Sequence, residues 1–378
     1  MKKRILMLAT GGTIASRESG QGLAPAITSE ELLGYVPGIG ELCRVETVQL
    51  MNLDSTNVGP SHWLSMARAI EAHYRDYDGF VVTHGTDTMA YTAAALSYLI
   101  QRSPKPIVLT GSQRSICMEN TDARMNLYNA FLYAAAEGSR GVSLVFDGKV
   151  ISGTRARKER TKSFNAFSSV DYPELAIIRD GRLIRYLAEL DHRDGPEFFH
   201  RLEERVLLLT LIPGMGADAL SALRDSYQAV ILQSFGVGGV PGGGSGPFAR
   251  AMEDWLRAGK TIVMMTQVPY EGSDMAVYQV GYQVKEKYQL MEAYNMTLEA
   301  AATKLMWVLA VLPAGPVGHH SMNRDRGRDG GRSSSSWDSR MEACLCCPGS
   351  RGLRQSTASK RRRAESRRSS VCWPVSRT

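Results

Sequence analysis

Short, unbroken apolar runs recur along the first half of this 378-residue chain, and two of them end in glycines and hydroxyls. Residues 4–9 hold Ile5, Leu6, Met7 and Leu8 and run into Ala9-Thr10-Gly11-Gly12-Thr13-Ile14-Ala15. Residues 79–83 hold Phe80, Val81 and Val82 and run into Thr83-His84-Gly85-Thr86-Asp87-Thr88. Apolar runs of this length, without alternation, belong to strands buried on both faces. Each segment therefore reads as a strand followed by a tight loop. Residues 89–100 (MAYTAAALSYLI) are alanine-rich and helical in pattern, with Thr88 or Asp87 placed to cap them. Residues 142–146 and 149–152 predict a strand pair. Farther on, 206–211, 229–233 and 261–266 read as strands separated by helical 218–224 and 248–258. The fold class is α/β. A larger N-terminal parallel-sheet domain (1–186) and a smaller C-terminal α/β domain (206–312) flank a charged linker at 187–205 (LAELDHRDGPEFFHRLEER).

Charge changes the picture only at the end of the chain. The formal net charge of +7 resolves into +9 for residues 313–378 and −2 for residues 1–312, so the basic balance describes the tail. That tail is rich in Arg, Ser and Gly, shows no helical or strand period, and reads as disordered. Its abrupt onset predicts a shifted reading frame near residues 310–313. Lys360-Arg361-Arg362-Arg363 reads as solvated charge, not a nucleic-acid site. The N-terminal apolar run is too short for a signal-peptide core, and no stretch is long enough to span a membrane, which points to a cytoplasmic protein. Cys43 and Cys117 are isolated, and Cys344, Cys346, Cys347 and Cys372 lack the paired spacing of a zinc site, so no metal is expected.

The candidate chemistry lies in the two loops. Gly11 and Gly12 permit positive φ and close backbone approach, and small polar residues at strand C-termini sit where open α/β sheets bind ligands. A threonine hydroxyl attacks a carbonyl only with a nearby base and a group that holds the base. Asp87 can hold a cation, and Lys158 in TRARK, after the predicted strand pair, is the natural one. A lysine serves as a base where burial or neighbouring charge lowers its pKa, and Arg155 and Arg157 bring such charge. His84, inside the second loop, reads as structural.

These segments, with MNLDSTNV, DGFVVTHGTDTMAYTAAALS, PIVLTGSQR, TRARK and MTLEAAATKLMWVL, give the chain a resemblance to bacterial L-asparaginases of the asparaginase/glutaminase family, nearest the cytoplasmic type I branch. It extends from about residue 3 to about residue 310. The resemblance implies hydrolysis of L-asparagine to L-aspartate and ammonia without metal or organic cofactor. It implies that Thr13 is the nucleophile, and that Thr86, Asp87 and Lys158 form the second catalytic set. Ser55 would bind the substrate α-carboxylate, Asp87 the α-ammonium, and the backbone carbonyl of Ser112 the amide nitrogen. The N–H groups of Thr13 and Thr86 would form an oxyanion hole. It further implies a homodimer or homotetramer whose sites lie between subunits.

Two departures from the family pattern stand out. Residues 16–27 (SRESGQGLAPAI) carry no lid tyrosine, with Leu23 in its place. Gly239 stands after GVG where some relatives have an asparagine. Mixed glutaminase/asparaginase specificity, or an amino-acid-binding homologue without turnover, are the alternative readings. One methylene is worth only about 1–3 kcal/mol of discrimination in a pocket, so the local sequence does not separate the two amides.

Overall fold

The computed structural model describes residues 2–20, 22–187, 195–242, 246–277 and 290–311, with Tyr282, Lys285 and Tyr288. The expectations for residues 313–378 and their cysteines lie outside the described residues. So does the part of the expected linker at 188–194.

Eight strands form the larger sheet, in the order Arg182–Arg185, Ala176–Arg179, Lys149–Ser152, Gly141–Phe146, Pro106–Thr110, Gly79–Thr83, Arg4–Gly11 and Arg44–Leu53. From Gly141–Phe146 to Arg44–Leu53 all neighbours run parallel. The last three strands at the other edge pair antiparallel. The expected parallel sheet is thus corrected to a mixed one. The cause is local: Asp147-Gly148 and Asp180-Gly181 each place both residues at positive φ, between 50° and 70°, the requirement of a two-residue hairpin turn matched to strand twist. Each Asp-Gly pair turns the chain straight back instead of sending it through a crossover helix.

The central strands are buried on both faces, and successive side chains point to opposite layers. Leu6, Leu8, Phe80, Val82, Ile107 and Leu109 pack under helices Pro60–His73 and Met89–Leu99. Ile5, Met7, Val81 and Val108 pack under helix Ala123–Ala135 and the short helices Ser29–Gly34 and Ile39–Leu42. The strand pair expected at 142–146 and 149–152 is present.

The smaller sheet is parallel, in the order Val206–Thr210, Ala229–Ser234, Thr261–Thr266, Met291–Glu292. Helix Pro247–Arg257 covers it with Phe248, Met252 and Trp255. Helix Leu298–Val311 follows the last strand and packs against helix Met89–Leu99, with Trp307 stacked on Tyr98 at 6.2 Å between ring centroids. One apolar cluster consequently reaches from Leu96 and Leu99 through Leu305 and Val308 to Ile231 and Val263 of the smaller sheet. No helix among the described residues is long and apolar enough to cross a membrane.

Candidate active site

From strand Arg4–Gly11 the chain moves outward to Arg44–Leu53, then crosses back to Gly79–Thr83 on the other flank. The loops after strands 4–11 and 79–83 diverge at that reversal, which is where open α/β sheets form their ligand crevice. Glycine lets the two loops touch. Gly12 has φ +78°, and a Cβ there would sit 2.3 Å from Gly85 N. A Cβ on Gly85 would in turn sit 2.6 Å from Ser55 Oγ and 3.2 Å from Gly12 Cα. Ser55 heads a short turn, Ser55–Asn57, capped by Asp54 Oδ1, which accepts from Thr56 N at 2.9 Å. The Gly12–Gly85 approach is backbone to backbone, and Gly12 N donates to the Leu53 carbonyl at 2.9 Å, so loops from three adjacent strands meet here.

The side chains close the constellation. Lys158, on the short strand Ala156–Lys158, donates from Nζ to Asp87 Oδ1 at 2.6 Å and to Thr86 Oγ1 at 2.7 Å. The lysine side chain is 15% exposed and the aspartate 56%, so the ion pair has a sheltered cationic end and an anionic end facing solvent. Asp87 N donates to Ser55 Oγ at 3.3 Å, and Thr88 Oγ1 donates to the Ser55 carbonyl at 2.6 Å. Thr88 thus occupies the N-cap position of helix Met89–Leu99, but its hydroxyl makes no capping bond. The expected cap is corrected: the hydroxyl is spent on joining two loops. Lys158 is also held from the far end of the chain. Neighbouring Glu159 accepts from Tyr270 Oη at 2.7 Å, and Arg155 Nη1 donates to the Asn295 carbonyl at 2.9 Å.

Thr13 opens the turn Thr13–Ala15 directly after Gly12. Its hydroxyl has no hydrogen-bond partner among the described residues, nor do the backbone N–H groups of Thr13 and Thr86. The segment after it folds back as a hairpin, Ser16–Ser19 against Gly22–Pro25, with Leu23 opposite Glu18. Ser112 is fully buried and donates its hydroxyl to the Arg114 carbonyl within its own loop. The structure thus joins Ser55, Thr86, Asp87 and Lys158 by hydrogen bonds, and brings Thr13 to them through the Gly12–Gly85 contact. Gly238 and Gly239 lie in a tight turn closed on Phe235, packed so that a Cβ on Gly238 would meet Met275 at 2.5 Å.

Two supports escaped the sequence reading. Gln113 accepts from Thr86 Oγ1 at 3.1 Å, and its backbone N donates to both oxygens of Asp122 at 2.9 and 3.1 Å. Burial pushes the Asp122 carboxyl up, against the hydrogen bonds from Gln113, Arg114 and Asn126 that favour its charge. Both residues follow the PIVLTGS run, but the Gln113 side chain finds its partners at residues 86 and 163, so no local pattern marks it. His84, in contrast, is structural as expected. It is fully buried, and burial depresses its pKa to about 4, leaving a neutral ring. With the ring neutral, Nδ1–H donates to the Gly85 carbonyl at 2.7 Å, and Nε2 accepts from Thr92 Oγ1 at 2.9 Å. Thr92 Oγ1 accepts in turn from Trp63 Nε1 at 3.0 Å. Cys43 is buried, and burial raises its thiol to about 11, which makes it inert packing.

The arrangement suits attack on a carbonyl by a hydroxyl, with a lysine-centred proton relay and a carboxylate facing an incoming cation. Among the described residues no group of three or more His, Cys, Asp or Glu side chains is placed to hold a metal ion. Residues 4–190 match the family model of the asparaginase N-terminal domain, and residues 205–312 that of the glutaminase/asparaginase C-terminal domain. An L-asparaginase of Thermococcus kodakarensis is 37% identical over 309 residues, covering 81% of this chain and 92% of the relative. L-asparaginase 1 of Escherichia coli is 34% identical over 319 residues, with 82% and 92% covered. The solved structure of the thermostable L-asparaginase from Thermococcus kodakarensis superimposes with a TM-score of 0.76 at 35% identity, covering 82% of this chain and 93% of that one. Two matched domains, near-complete coverage of these relatives and a shared fold make this chain a member of the asparaginase family.

Proposed function

We propose that the chain hydrolyses L-asparagine to L-aspartate and ammonia, with Thr13 as nucleophile. The observation that carries this reading is the bridge of Lys158 Nζ between Thr86 Oγ1 and Asp87 Oδ1, at 2.7 and 2.6 Å, one glycine contact away from Thr13. Thr13 Oγ1 bonds to the side-chain amide carbon, and its proton passes to the Thr86–Lys158 pair. The unpartnered N–H groups of Thr13 and Thr86 are the donors for the oxygen that gains charge. The C–N bond then breaks, and the relay returns the proton to the leaving nitrogen, which departs as ammonia. Water adds to the resulting ester through the same relay, releasing aspartate and restoring the Thr13 hydroxyl.

Substrate orientation follows from the remaining polar groups. Asp87 keeps Oδ2 without a partner among the described residues, ready for the α-ammonium group. Ser55 accepts from Asp87 N and retains its own O–H for the α-carboxylate. The Ser112 carbonyl takes the amide nitrogen. The enzyme would work as a cytoplasmic homodimer or homotetramer, and size-exclusion chromatography with light scattering tests the assembly. Ammonia release from L-asparagine and L-glutamine, with a Thr13→Ala control, tests the activity. Asparagine-selective release lost in the control supports the reading. Equal release from both amides supports mixed specificity, and release unchanged in the control refutes it.

A further inference from the structure

The Gln113 side chain hydrogen-bonds both to Thr86 and to the loop closing the Lys158 strand pair, and nothing in the reaction above uses it. Its Nε2 donates to the Ser163 carbonyl at 3.1 Å and to the Arg160 carbonyl at 3.4 Å. Both are in the loop between strands Ala156–Lys158 and Phe167–Ser169, which is closed by Glu159 N donating to the Ala166 carbonyl at 2.8 Å. Carbonyl oxygens only accept, so the amide has a single satisfactory sense: NH₂ toward the loop and Oε1 toward Thr86. The lysine ammonium on the other side only donates. Thr86 Oγ1 therefore receives a hydrogen from Lys158 at 2.7 Å and gives its own to Gln113 at 3.1 Å. The direction of this chain, Lys158 to Thr86 to Gln113, is dictated by its two ends.

We infer that Gln113 is a positioning residue for the hydrolysis proposed above: its amide holds the Thr86 hydroxyl turned toward Lys158 as an acceptor and pins the Lys158 hairpin at relay distance. For Lys158 to act as the base its ammonium first gives up a proton to solvent; the Thr86 O–H then rotates about its C–O bond, releases Gln113 and donates to the neutral amine. The bond to Gln113 is long for an O–H donor, so release is easy, and no covalent change is required. The backbone of Gln113 is anchored separately through Asp122, so the side chain can be altered without unseating its loop.

The inference rests on the asparaginase reading, and the experiment separates the two. Steady-state kcat and KM for L-asparagine are measured from pH 5 to 10 on the full chain, on Gln113→Met, which keeps length but loses all three side-chain hydrogen bonds, and on Gln113→Glu, which keeps an acceptor toward Thr86. Gln113→Met is expected to lower kcat about 10- to 100-fold, the scale of a small misplacement of reacting groups, with KM and the thermal midpoint little changed. Gln113→Glu is expected to retain more of kcat than Gln113→Met, with its pH–rate profile displaced toward alkaline pH by the added negative charge beside Lys158. A Gln113→Met variant within twofold of the parent across the pH range, or one losing activity only with its folded fraction, overturns the inference alone. So does a Gln113→Glu variant no better than Gln113→Met. A parent with no Thr13-dependent ammonia release overturns the underlying reading as well.

Discussion

Replacing Thr92 by valine tests whether the Trp63–Thr92–His84–Gly85 chain holds the site loop in place. Valine has nearly the shape of threonine but can neither accept from Trp63 Nε1 nor donate to His84 Nε2, bonds of 3.0 and 2.9 Å in the parent. Thr92 and His84 are fully buried, so neither orphaned group gains water in exchange. Leaving a buried donor or acceptor unsatisfied costs about 1–3 kcal/mol, so two of them cost about 2–6 kcal/mol. The methyl that replaces the hydroxyl returns about 1 kcal/mol of apolar burial. The net expectation is a loss of about 1–5 kcal/mol, read as a lower midpoint in urea unfolding followed by fluorescence with an unchanged slope. Thr92→Ser, which keeps the hydroxyl, should stay within about 1.5 kcal/mol of the parent. Thr92→Val also frees the His84 ring and with it the Gly85 carbonyl, so its kcat/KM should fall along with stability. A Thr92→Val midpoint indistinguishable from that of Thr92→Ser would refute the reasoning, because the cost would then come from the side-chain volume and not from the hydrogen bonds.

Three further outcomes are expected. His84 titrates near 4 in the fold and near 6.5 when unfolded, so the unfolded chain binds more protons between those values. Stability is therefore complete above pH 6.5 and declines as pH falls toward 4, by about 3 kcal/mol in all. Urea midpoints at pH 8, 6.5 and 5 should show the decline below 6.5, and it should be shallower in His84→Gln. Gly85→Ala places a Cβ 2.6 Å from Ser55 Oγ and 3.2 Å from Gly12 Cα, and should lower kcat/KM for asparagine at least about tenfold, the effect of shifting a substrate-contacting group by a fraction of an ångström, while circular dichroism remains that of the parent. Lys158→Met should lower kcat by about 10²–10⁴, the scale of losing a proton-transfer group, with a small change in thermal midpoint because half-exposed Asp87 can be hydrated in its place.

Legibility in the sequence followed the range of the interactions. Gly79–Thr83 and Thr261–Thr266 are uninterrupted apolar runs, and both were readable to the residue because burial on two faces leaves no alternation to confuse the boundary. The strand pair around Asp147-Gly148 was readable, whereas the one around Asp180-Gly181 was missed, since its strands are short and carry Arg179, Arg182 and Arg185. Thr86, Asp87 and Lys158 were legible as a set through the resemblance, and the hydrogen bonds now join them. Thr88 was read correctly as the residue at the helix start, but a hydroxyl there looks the same in sequence whether it bonds the helix or reaches a neighbouring loop. Gln113 gave no signal because its side-chain partners, Thr86 and the carbonyl of Ser163, lie on segments that only the folded sheet brings together, and Asp122 gave none because an acidic residue bonded to nearby backbone N–H groups looks like any helix-start carboxylate.

The packing of helix Leu298–Val311 against helix Met89–Leu99 bears on the order of events during synthesis. Helix 89–99 begins immediately after Thr88 and carries the second site loop on its N-terminal end, yet its apolar surface packs with Leu305, Trp307 and Val308 from the far end of the chain. A ribosome must therefore translate some two hundred residues beyond that helix before its covering exists. The N-terminal half emerges first with an apolar flank open to chaperones and to other nascent chains, and contacts of such separation form slowly. Assembly of the reaction centre is consequently a late step, completed only when the far end of the second sheet has been made.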